Sequence, residues 1–278
     1  MAAIGIIGFG IVGKGVAVAF SQNTENKILW YDKKIKGKHS FNDVVNKSEF
    51  IFVCLPTPML KNGEGIDLSI MNEVIDKIAK LTKNTKKLIV IKSTVVPTTT
   101  INYSQKYPNV QFSMVPEFLT EVNAEWDSTH PSRIVIGVEN EANGVALARL
   151  HRLSLGYDFP IFITDTKTAE MVKYMSNCFM AVKTIFANEM SDLANKININ
   201  YDEVKKMVGI DKRIGESFLG VSPFGGYGLK CFPKDTVALL GLAKKLKVDL
   251  SILDSAWQKN LKIRKIKDWE GIEGAVSS

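Results

Sequence analysis

A glycine-rich turn near the amino terminus restricts the fold more than any other feature of the sequence. Gly8, Gly10 and Gly13 form a Gly-x-Gly-x-x-Gly pattern that directly follows a short apolar run and opens a helical pattern. Such strand-to-helix turns bind the phosphates of a dinucleotide at the helix N-terminus. Asp32 ends the second apolar run, where a carboxylate would bind ribose hydroxyls. The spacing therefore predicts a dinucleotide-binding βαβ unit.

Asp32 also bears on the choice of nucleotide. A carboxylate at this position repels a 2′-phosphate, which favours NAD over NADP. Lys33 and Lys34 stand next to it and could tolerate the extra phosphate, so NADP stays open at this point.

Apolar runs alternate with helical patterns over residues 1–165. Several runs are apolar throughout, as strands covered on both faces are. This alternation predicts an α/β fold of the Rossmann type, with a doubly wound, mostly parallel sheet. The predicted strands are residues 3–7, 27–31, 50–54, 87–91, 111–115, 133–138 and 160–163.

The pattern changes at Thr166. Residues 166–197 contain neither glycine nor proline and carry apolar residues at helical spacing, which predicts one long helix. A second helix over residues 202–208, a glycine-rich stretch over 215–228 and a third helix near Cys231 follow. We therefore predict an NAD-binding domain over residues 1–165 and an all-helical domain over residues 166–278, with the long helix as its spine and dimer face.

Cys231 stands in a setting that favours chemistry over packing. Pro233 suits the first position of a helix, so the sulfur is predicted to lie at the positive end of the helix dipole. Lys230 and Lys234 flank it. Both features favour thiolate over thiol.

Composition excludes several other functions. The net charge of +7 is concentrated in residues 33–38 and 259–267, and no RNA-binding aromatic signature accompanies either cluster. A solvated face or a general attraction for anions explains it better than nucleic acid does. No apolar run is long enough to span a membrane. Three cysteines without a disulfide or metal spacing are typical of a reducing, cytoplasmic compartment.

Other cysteines and histidines fit no reaction. Cys54 lies inside an apolar strand pattern and is predicted to be a core residue, and Cys178 is predicted to pack on the long helix. His39, His130 and His151 fall in no catalytic or metal-binding pattern. We predict that all three histidines lie on the surface or in loops.

Eight motifs, in order, resemble those of the UDP-glucose/GDP-mannose dehydrogenase family over nearly the whole chain. They are residues 50–58, 92–97, 116–121, 131–137, 169–177, 188–189, 211–215 and 231–235. The family oxidises the sugar 6-hydroxyl of a nucleotide sugar to a carboxylate, with two NAD per turnover and no release of aldehyde. The resemblance implies a UDP-sugar substrate, UDP-glucose first, a role in polysaccharide biosynthesis, and a homodimer.

The resemblance also implies roles for individual residues. Cys231 would capture the aldehyde as a thiohemiacetal that is oxidised to a thioester. Lys173 and Asn177, one helical turn apart, would stabilise the oxyanion. Asp235 would orient water or the lysine. Glu121 would act as acid and base for hydrolysis, with Thr94 holding its water and Glu117 as a second candidate.

Binding residues follow in the same way. The implied cofactor-binding residues are Gly8, Gly10, Ile11, Val12, Gly13, Asp32, Pro56, Thr57, Ser93, Thr94 and Lys234. The implied substrate-binding residues are Phe118, Leu119, Lys173, Asn177, Gly228 and Arg213, the last reaching across the family's dimer interface. No metal is implied.

The sequence departs from the family in three places. Family members continue into a further nucleotide-binding domain, and none follows the Cys231 motif here. We expect a natural minimal form, or a domain that was lost or is supplied by another chain. Residues 36–40 replace a helix and loop between Asp32 and Phe50. The loop before Cys231 is longer than usual, with Leu229 where glycine is common.

Two other functions stay open at the level of sequence. A two-electron dehydrogenase of the β-hydroxyacid/6-phosphogluconate type shares the domain plan and the Lys-x-x-x-Asn pair, but does not need Cys231. An inactive NAD-binding module would not need to keep every candidate catalytic residue.

Overall fold

The computed structural model describes residues 1–120 and 123–277. The chain divides into two compact units. The first contains Met1–Thr57 and Leu68–Lys173, and the second contains Pro58–Asp67 and Tyr174–Ser278.

A seven-stranded sheet forms the centre of the first unit. Its order is β2-β1-β3-β4-β5-β6-β7, and all neighbouring strands are parallel except β5 and β6. The strands are β1 Ala3–Ile7, β2 Lys27–Tyr31, β3 Phe50–Val53, β4 Leu88–Ile91, β5 Gln111–Met114, β6 Ile134–Val138 and β7 Ile161–Thr164. The helices are α1 Ile11–Ser21, α2 Phe41–Lys47, α3 Ser69–Thr82, α4 Thr99–Lys106, α5 Ala124–Thr129 and α6 Glu141–Leu155.

Helices cover both faces of this sheet. Successive residues of a strand enter opposite hydrophobic clusters: Ile51 and Val53 belong to one, and Phe52 belongs to the other. In β4, Ile89 and Val90 alternate in the same way. The uninterrupted apolar runs therefore arise because side chains on both faces are buried. The predicted fold class is confirmed.

The second unit is built from helices. The long helix α7 spans Thr166–Lys196, so the two units divide within it, after Lys173. The remaining helices are α8 Tyr201–Gly209, α9 Cys231–Leu246, α10 Ser251–Ile263 and a short 3₁₀ helix Asp268–Glu270. The domain boundary after residue 165 stays a prediction. Within the described residues, no helix is both long and apolar enough to cross a membrane.

Two local expectations need correction. The segment between Asp32 and Phe50 does contain a helix, α2, which begins with a capping box formed by Ser40 and Asp43. His151 lies in α6 and is buried, with 3% of its area exposed, and not at the surface as predicted. Its Nδ1 lies 2.8 Å from the Leu147 carbonyl oxygen, and its ring packs edge-on against Phe20. Burial lowers the pKa of His151 to about 3, so this ring is a neutral core residue.

A buried carboxylate holds the start of α4. Glu170, on α7, accepts hydrogen bonds from the backbone N–H groups of Thr98 (2.7 Å) and Thr100 (2.8 Å). Thr98 precedes α4 with a left-handed φ of 85°, which is costly for a β-branched residue. Because Thr98 offers no side-chain cap, the Glu170 carboxylate satisfies the helix terminus instead.

Glu170 should make stability depend on pH. Burial raises its pKa to about 7, against hydrogen bonds that lower it, so the folded chain holds this proton more tightly than the unfolded chain. The resulting stabilisation is complete below the ordinary pKa of 4.5 and is lost as pH rises through about 7. As the pH rises from about 5 to 8, we expect the free energy of unfolding of the native protein to fall by on the order of 1–3 kcal/mol more than that of the Glu170→Gln variant.

Urea titrations at several pH values, followed by circular dichroism, measure this difference. Glu25→Gln, which changes an exposed carboxylate, is the matched control. Its free energy of unfolding should change with pH as that of the native protein does. Equal slopes for the native chain and Glu170→Gln would show that Glu170 is ionised throughout this range.

Candidate active site

The glycine turn between β1 and α1 depends on close backbone contacts. Gly8 has a φ of 92°, and an added Cβ would lie 2.3 Å from the Cys54 carbonyl oxygen. An added Cβ at Gly13 would lie 2.0 Å from the Gly8 carbonyl oxygen. An added Cβ at Gly10 would meet no atom within 4 Å. The turn is therefore tight on its inner side and open at Gly10.

The first turn of α1 is suited to an anion. Gly10 is the N-cap residue and provides no side-chain cap, and the turn that follows contains no acidic residue. Ile11 is exposed, Val12 is half-buried, and the positive end of the helix dipole faces the open side of the turn. These features fit a pyrophosphate group.

Asp32 lies beside this turn. Its carboxylate accepts hydrogen bonds from the backbone N–H groups of Phe9 (2.8 Å), Lys34 (2.7 Å) and Ile35 (3.1 Å). Partial burial opposes ionisation, but these bonds outweigh it and lower the pKa of Asp32. An ionised carboxylate fixed at the end of β2 fits the ribose of a dinucleotide.

The loops after β3 and β4 are bonded to each other. The Thr57 hydroxyl donates to the Thr94 carbonyl oxygen (2.8 Å), and the Leu55 N–H donates to the Ser93 hydroxyl (2.8 Å). Pro56 is exposed between these contacts. The predicted cofactor-binding residues of both loops therefore share the carboxyl edge of the sheet with the glycine turn.

A buried ion pair follows β5. The Lys173 ammonium lies 2.7 Å from Glu117 Oε1, and both side chains are less than a tenth exposed. The second carboxylate oxygen of Glu117 accepts from the Leu119 N–H at 2.6 Å. Burial raises the pKa of Glu117, but the charge and hydrogen bond of Lys173 outweigh it, so the net shift is downward. Glu117 is held as a carboxylate, and Lys173 is not a solvated lysine.

Further cations surround the same loop. The Lys92 ammonium donates to the Pro116 carbonyl oxygen at 3.2 Å, and burial lowers its pKa to about 8. The Phe118 ring lies under the Arg133 guanidinium (3.9 Å to the ring centroid) and close to the Lys173 ammonium (5.7 Å). Glu121, predicted as the acid and base, lies outside the described residues. Sequence reasoning missed Lys92, although it opens one of the family-like motifs.

Cys231 is the first residue of α9, in the second unit. It stands two positions earlier than the start predicted from Pro233, which lies buried within the first turn. The side chain is half-buried, at the positive end of the helix, as the sequence predicts. The backbone N–H groups of the first turn point toward the N-terminus of α9, where Cys231 lies, and favour negative charge there.

Three predicted residues of the second unit, Asn177, Lys234 and Asp235, are in contact, with Asp235 at the centre. Asn177 donates to Asp235 Oδ2 at 2.6 Å, and the Lys234 ammonium lies 2.5 Å from Asp235 Oδ1. Asp235 is 1% exposed, so its oxygens are bound by these donors rather than by water. Lys234, predicted to bind the cofactor, here pairs with a carboxylate. Asn177 and Lys173 are thus each bound by a buried acidic side chain.

Other predicted residues lie outside these clusters. Arg213 is exposed and binds Asp211 at 2.6 Å. At Gly228 an added Cβ would lie 2.2 Å from an Asp268 carboxylate oxygen, so a larger residue would displace the Asp268 side chain. Leu229, where glycine was expected, adopts a left-handed φ of 61°. The backbone therefore keeps a glycine-like conformation without the glycine.

The other two cysteines have unreactive surroundings. Cys178 is buried on α7, and Cys54 packs against a core cluster of the first unit. Burial raises the pKa of each thiol to about 12. Both agree with the predicted packing role, and Cys231 is the cysteine suited to nucleophilic chemistry.

Comparison with known proteins identifies the family. Residues 30–154 match the NAD binding domain of the UDP-glucose/GDP-mannose dehydrogenase family, and residues 167–262 match its central domain. The chain belongs to this family. NAD is therefore the cofactor of its first unit, in agreement with the fit of the glycine turn and Asp32.

Individual relatives show how much of the protein is shared. The UDP-glucose 6-dehydrogenase of Rickettsia bellii is 40% identical over 232 residues, which are 82% of this chain and 52% of that protein. The GDP-mannose 6-dehydrogenase of Pseudomonas syringae pv. tomato is 34% identical over 239 residues, or 82% and 54%. A UDP-glucose dehydrogenase structure from Pyrobaculum islandicum matches with a TM-score of 0.83 at 28% identity, covering 94% of this chain and 68% of that one. The chain thus spans about half the length of the curated relatives it matches.

The ion pair of this family member should be costly to break on one side only. Glu117→Gln leaves the Lys173 ammonium buried without a counter-charge, and we expect a loss of roughly 3–5 kcal/mol in the free energy of unfolding. Glu117→Gln combined with Lys173→Met should recover most of that loss, because no buried charge remains. Urea denaturation of the single and double variants provides the measurement.

An exposed pair supplies the control. Glu73 and Lys77 also lie 2.6 Å apart, but both side chains are more than half exposed. Glu73→Gln should barely change stability. A similarly small effect of Glu117→Gln would mean that water reaches Lys173 in solution.

Proposed function

We propose that this protein is an NAD-dependent nucleotide-sugar 6-dehydrogenase, with UDP-glucose as the first substrate to test. The observation that carries the proposal is the position of Cys231 at the positive end of α9, beside helix residues that include Lys234 and Asp235. A simple two-electron dehydrogenase has no need of a cysteine in this setting. The names of the relatives support the substrate class.

The reaction oxidises an alcohol to a carboxylate in two steps. NAD, when bound at the glycine turn and Asp32, accepts one hydride in each oxidation. After the first oxidation, the Cys231 thiolate adds to the aldehyde carbon, and the carbonyl oxygen takes a proton to give a thiohemiacetal. The second oxidation removes hydride from that carbon and a proton from its hydroxyl, leaving a thioester. Water then displaces the sulfur and releases the acid and the thiol.

Positive and polar groups are assigned to the oxygen of the sugar carbon. We assign to Lys173 and Asn177 the stabilisation of negative charge that develops on this oxygen. Each is held in place by a carboxylate, Lys173 by Glu117 and Asn177 by Asp235. Fixed donors cost little reorganisation when charge develops, so these contacts support the assignment.

Hydrolysis needs a base for the attacking water. We assign this role to Glu121, with Thr94 holding the water. Glu117 is less suited, because its carboxylate is already engaged by Lys173 and by the Leu119 N–H. Its pKa is also lowered, which makes it a weak base. We assign Glu117 instead to holding Lys173 charged and in place.

The count of NADH formed tests this function. With excess NAD and limiting UDP-glucose, we expect two NADH per sugar, measured by absorbance. Cys231→Ser should abolish formation of the acid, because a serine hydroxyl is a far weaker nucleophile than a thiolate and cannot form the thiohemiacetal or the thioester. Cys178→Ser is the matched control and should keep the stoichiometry.

Other outcomes would point elsewhere. One NADH per sugar would indicate the two-electron dehydrogenase. No NADH, with NAD binding confirmed by calorimetry, would reject UDP-glucose as the substrate of this chain alone, and GDP-mannose would be tested next. Acid formation at the native rate by Cys231→Ser would remove the covalent mechanism.

We also propose that the protein acts as a cytoplasmic homodimer. The second-unit part of α7 carries a stripe of exposed apolar residues about one helical turn apart or a multiple of it. They are Met175, Phe179, Phe186 and Leu193, and Ile197 continues the stripe directly after the helix; each is more than half exposed. An apolar stripe of this length on one helix is typical of a surface that a second copy covers.

A charge placed in the stripe should prevent assembly. We expect Phe179→Glu to convert a dimer into a monomer, because it would bury an unpaired carboxylate at the interface. Light scattering coupled to size exclusion measures the mass. Glu203→Gln, on the exposed side of α8, is the control. A native protein that is monomeric at high micromolar concentration would contradict the proposal.

A further inference from the structure

The loop before Cys231 is held by side chains from other parts of the second unit. The Gly226 N–H donates to Asn188 Oδ1 (3.1 Å), and the Tyr227 N–H donates to Asn260 Oδ1 (2.8 Å). The Leu229 N–H donates to an Asp268 carboxylate oxygen (3.0 Å). Three backbone donors within residues 226–229 thus bind side chains rather than water.

Asn260 makes the most complete of these contacts. Its amide nitrogen also donates to the Tyr227 carbonyl oxygen at 3.1 Å, so both sides of one residue's backbone bind one side chain. Asn260 is 0% exposed. A buried amide with both ends paired is an expensive group to disturb, because either orphaned partner loses its hydrogen bond without gaining water.

Tyr227 carries this constraint to the first turn of α9. Its ring packs edge-on against Phe232, the neighbour of Cys231, at 6.0 Å between centroids. Its hydroxyl lies 3.4 Å from the Thr236 hydroxyl, one turn further along the helix. A shift of the Tyr227 backbone would therefore move the residues that flank the sulfur.

Backbone geometry shows that the loop needs such support. Gly225 and Gly226 have positive φ values of 72° and 51°, and Leu229 follows at 61°. Arg264 donates to the Gly225 carbonyl oxygen at 3.0 Å and to Asp268 at 3.0 Å. A leucine in the left-handed region persists only where its surroundings fix it, and such residues cluster at functional sites.

We propose that Asn260 is a positioning residue for Cys231: by binding the Tyr227 backbone, it holds the sulfur at the N-terminus of α9. The assignment of Cys231 as nucleophile rests on the proposed function, but the positioning of the thiol does not. Asn260 touches neither substrate nor cofactor in this role; it acts through Tyr227.

The rate at which iodoacetamide alkylates Cys231 reports whether the sulfur lies at the helix terminus, and it needs no enzyme turnover. Only the thiolate reacts, and its fraction depends on the helix terminus. Cys178 is buried, and Cys54 is partly buried with a pKa raised to about 12, so both should react slowly. Peptide mass spectrometry follows the three cysteines separately. Asn260→Leu should slow alkylation of Cys231 at neutral pH by roughly threefold to tenfold and move its pH profile to higher pH.

Two further variants sharpen the test. Asn260→Asp keeps an acceptor for the Tyr227 N–H but, when ionised, cannot donate to the Tyr227 carbonyl oxygen, so it should give an intermediate rate. Asn195→Leu makes the same substitution at an exposed position of α7 and should react like the native protein. In NADH assays Asn260→Leu should lower kcat while the KM for NAD stays within twofold or so, because NAD binds the first unit.

Protection of Cys178 separates a local effect from unfolding. A native alkylation rate and pH profile at Cys231 in Asn260→Leu, with Cys178 still protected, would overturn the proposal. If Asn260→Leu exposes Cys178, the Asn260→Asp variant decides by the same two measurements. If the native protein forms no NADH with UDP-glucose but Asn260→Leu still slows alkylation of Cys231, the positioning role is supported and only UDP-glucose, as the substrate of this chain alone, is rejected.

Discussion

The ion pair between Lys173 and Glu117 is the contact on which much of the first unit depends. It joins α7 to the loop after β5, at the edge of the sheet where the glycine turn and the β3 and β4 loops also end. Burial of two charges is unfavourable unless both are fully bonded, and Glu117 uses its second oxygen on the Leu119 N–H to meet that condition. Because an incompletely bonded buried ion pair is strongly unfavourable, the loops at this edge of the sheet can adopt few conformations. It holds a buried ammonium group in a fixed position, and buried charges with a specific partner are typical of functional sites.

Much of the fold could be predicted from the sequence because its causes are local. The apolar runs identify strands buried on both faces, and the absence of glycine and proline identifies α7. Pro233 places Cys231 at a helix start to within two residues. The error at His151 has a local cause as well. Leu147, Leu150, His151 and Ser154 are all buried and share one face of α6, a spacing that signals a core position.

The remaining contacts depend on distance in space, which no local pattern contains. Asn260 binds Tyr227 across 33 residues and Glu170 binds Thr98 across 72. Nothing around either residue in the sequence marks it, because a buried amide or carboxylate is defined by its partner. The family motif predicts a function for Lys173 and Asn177, but it could not predict that each is bound by a different buried carboxylate. Leu229 shows the reverse case: the sequence lacks the usual glycine, yet the backbone keeps the left-handed geometry since neighbouring side chains enforce it.

The placement of Glu170 and Lys173 on α7 has a mechanical consequence. These residues lie one helical turn apart, and each grips a different loop: Glu170 fixes the start of α4, just beyond Ser93 and Thr94, and Lys173 fixes the loop that carries Glu117. A rotation of α7 about its axis would displace both attachments in the same direction. The two loops are therefore coupled through α7 and cannot rearrange independently while these bonds hold.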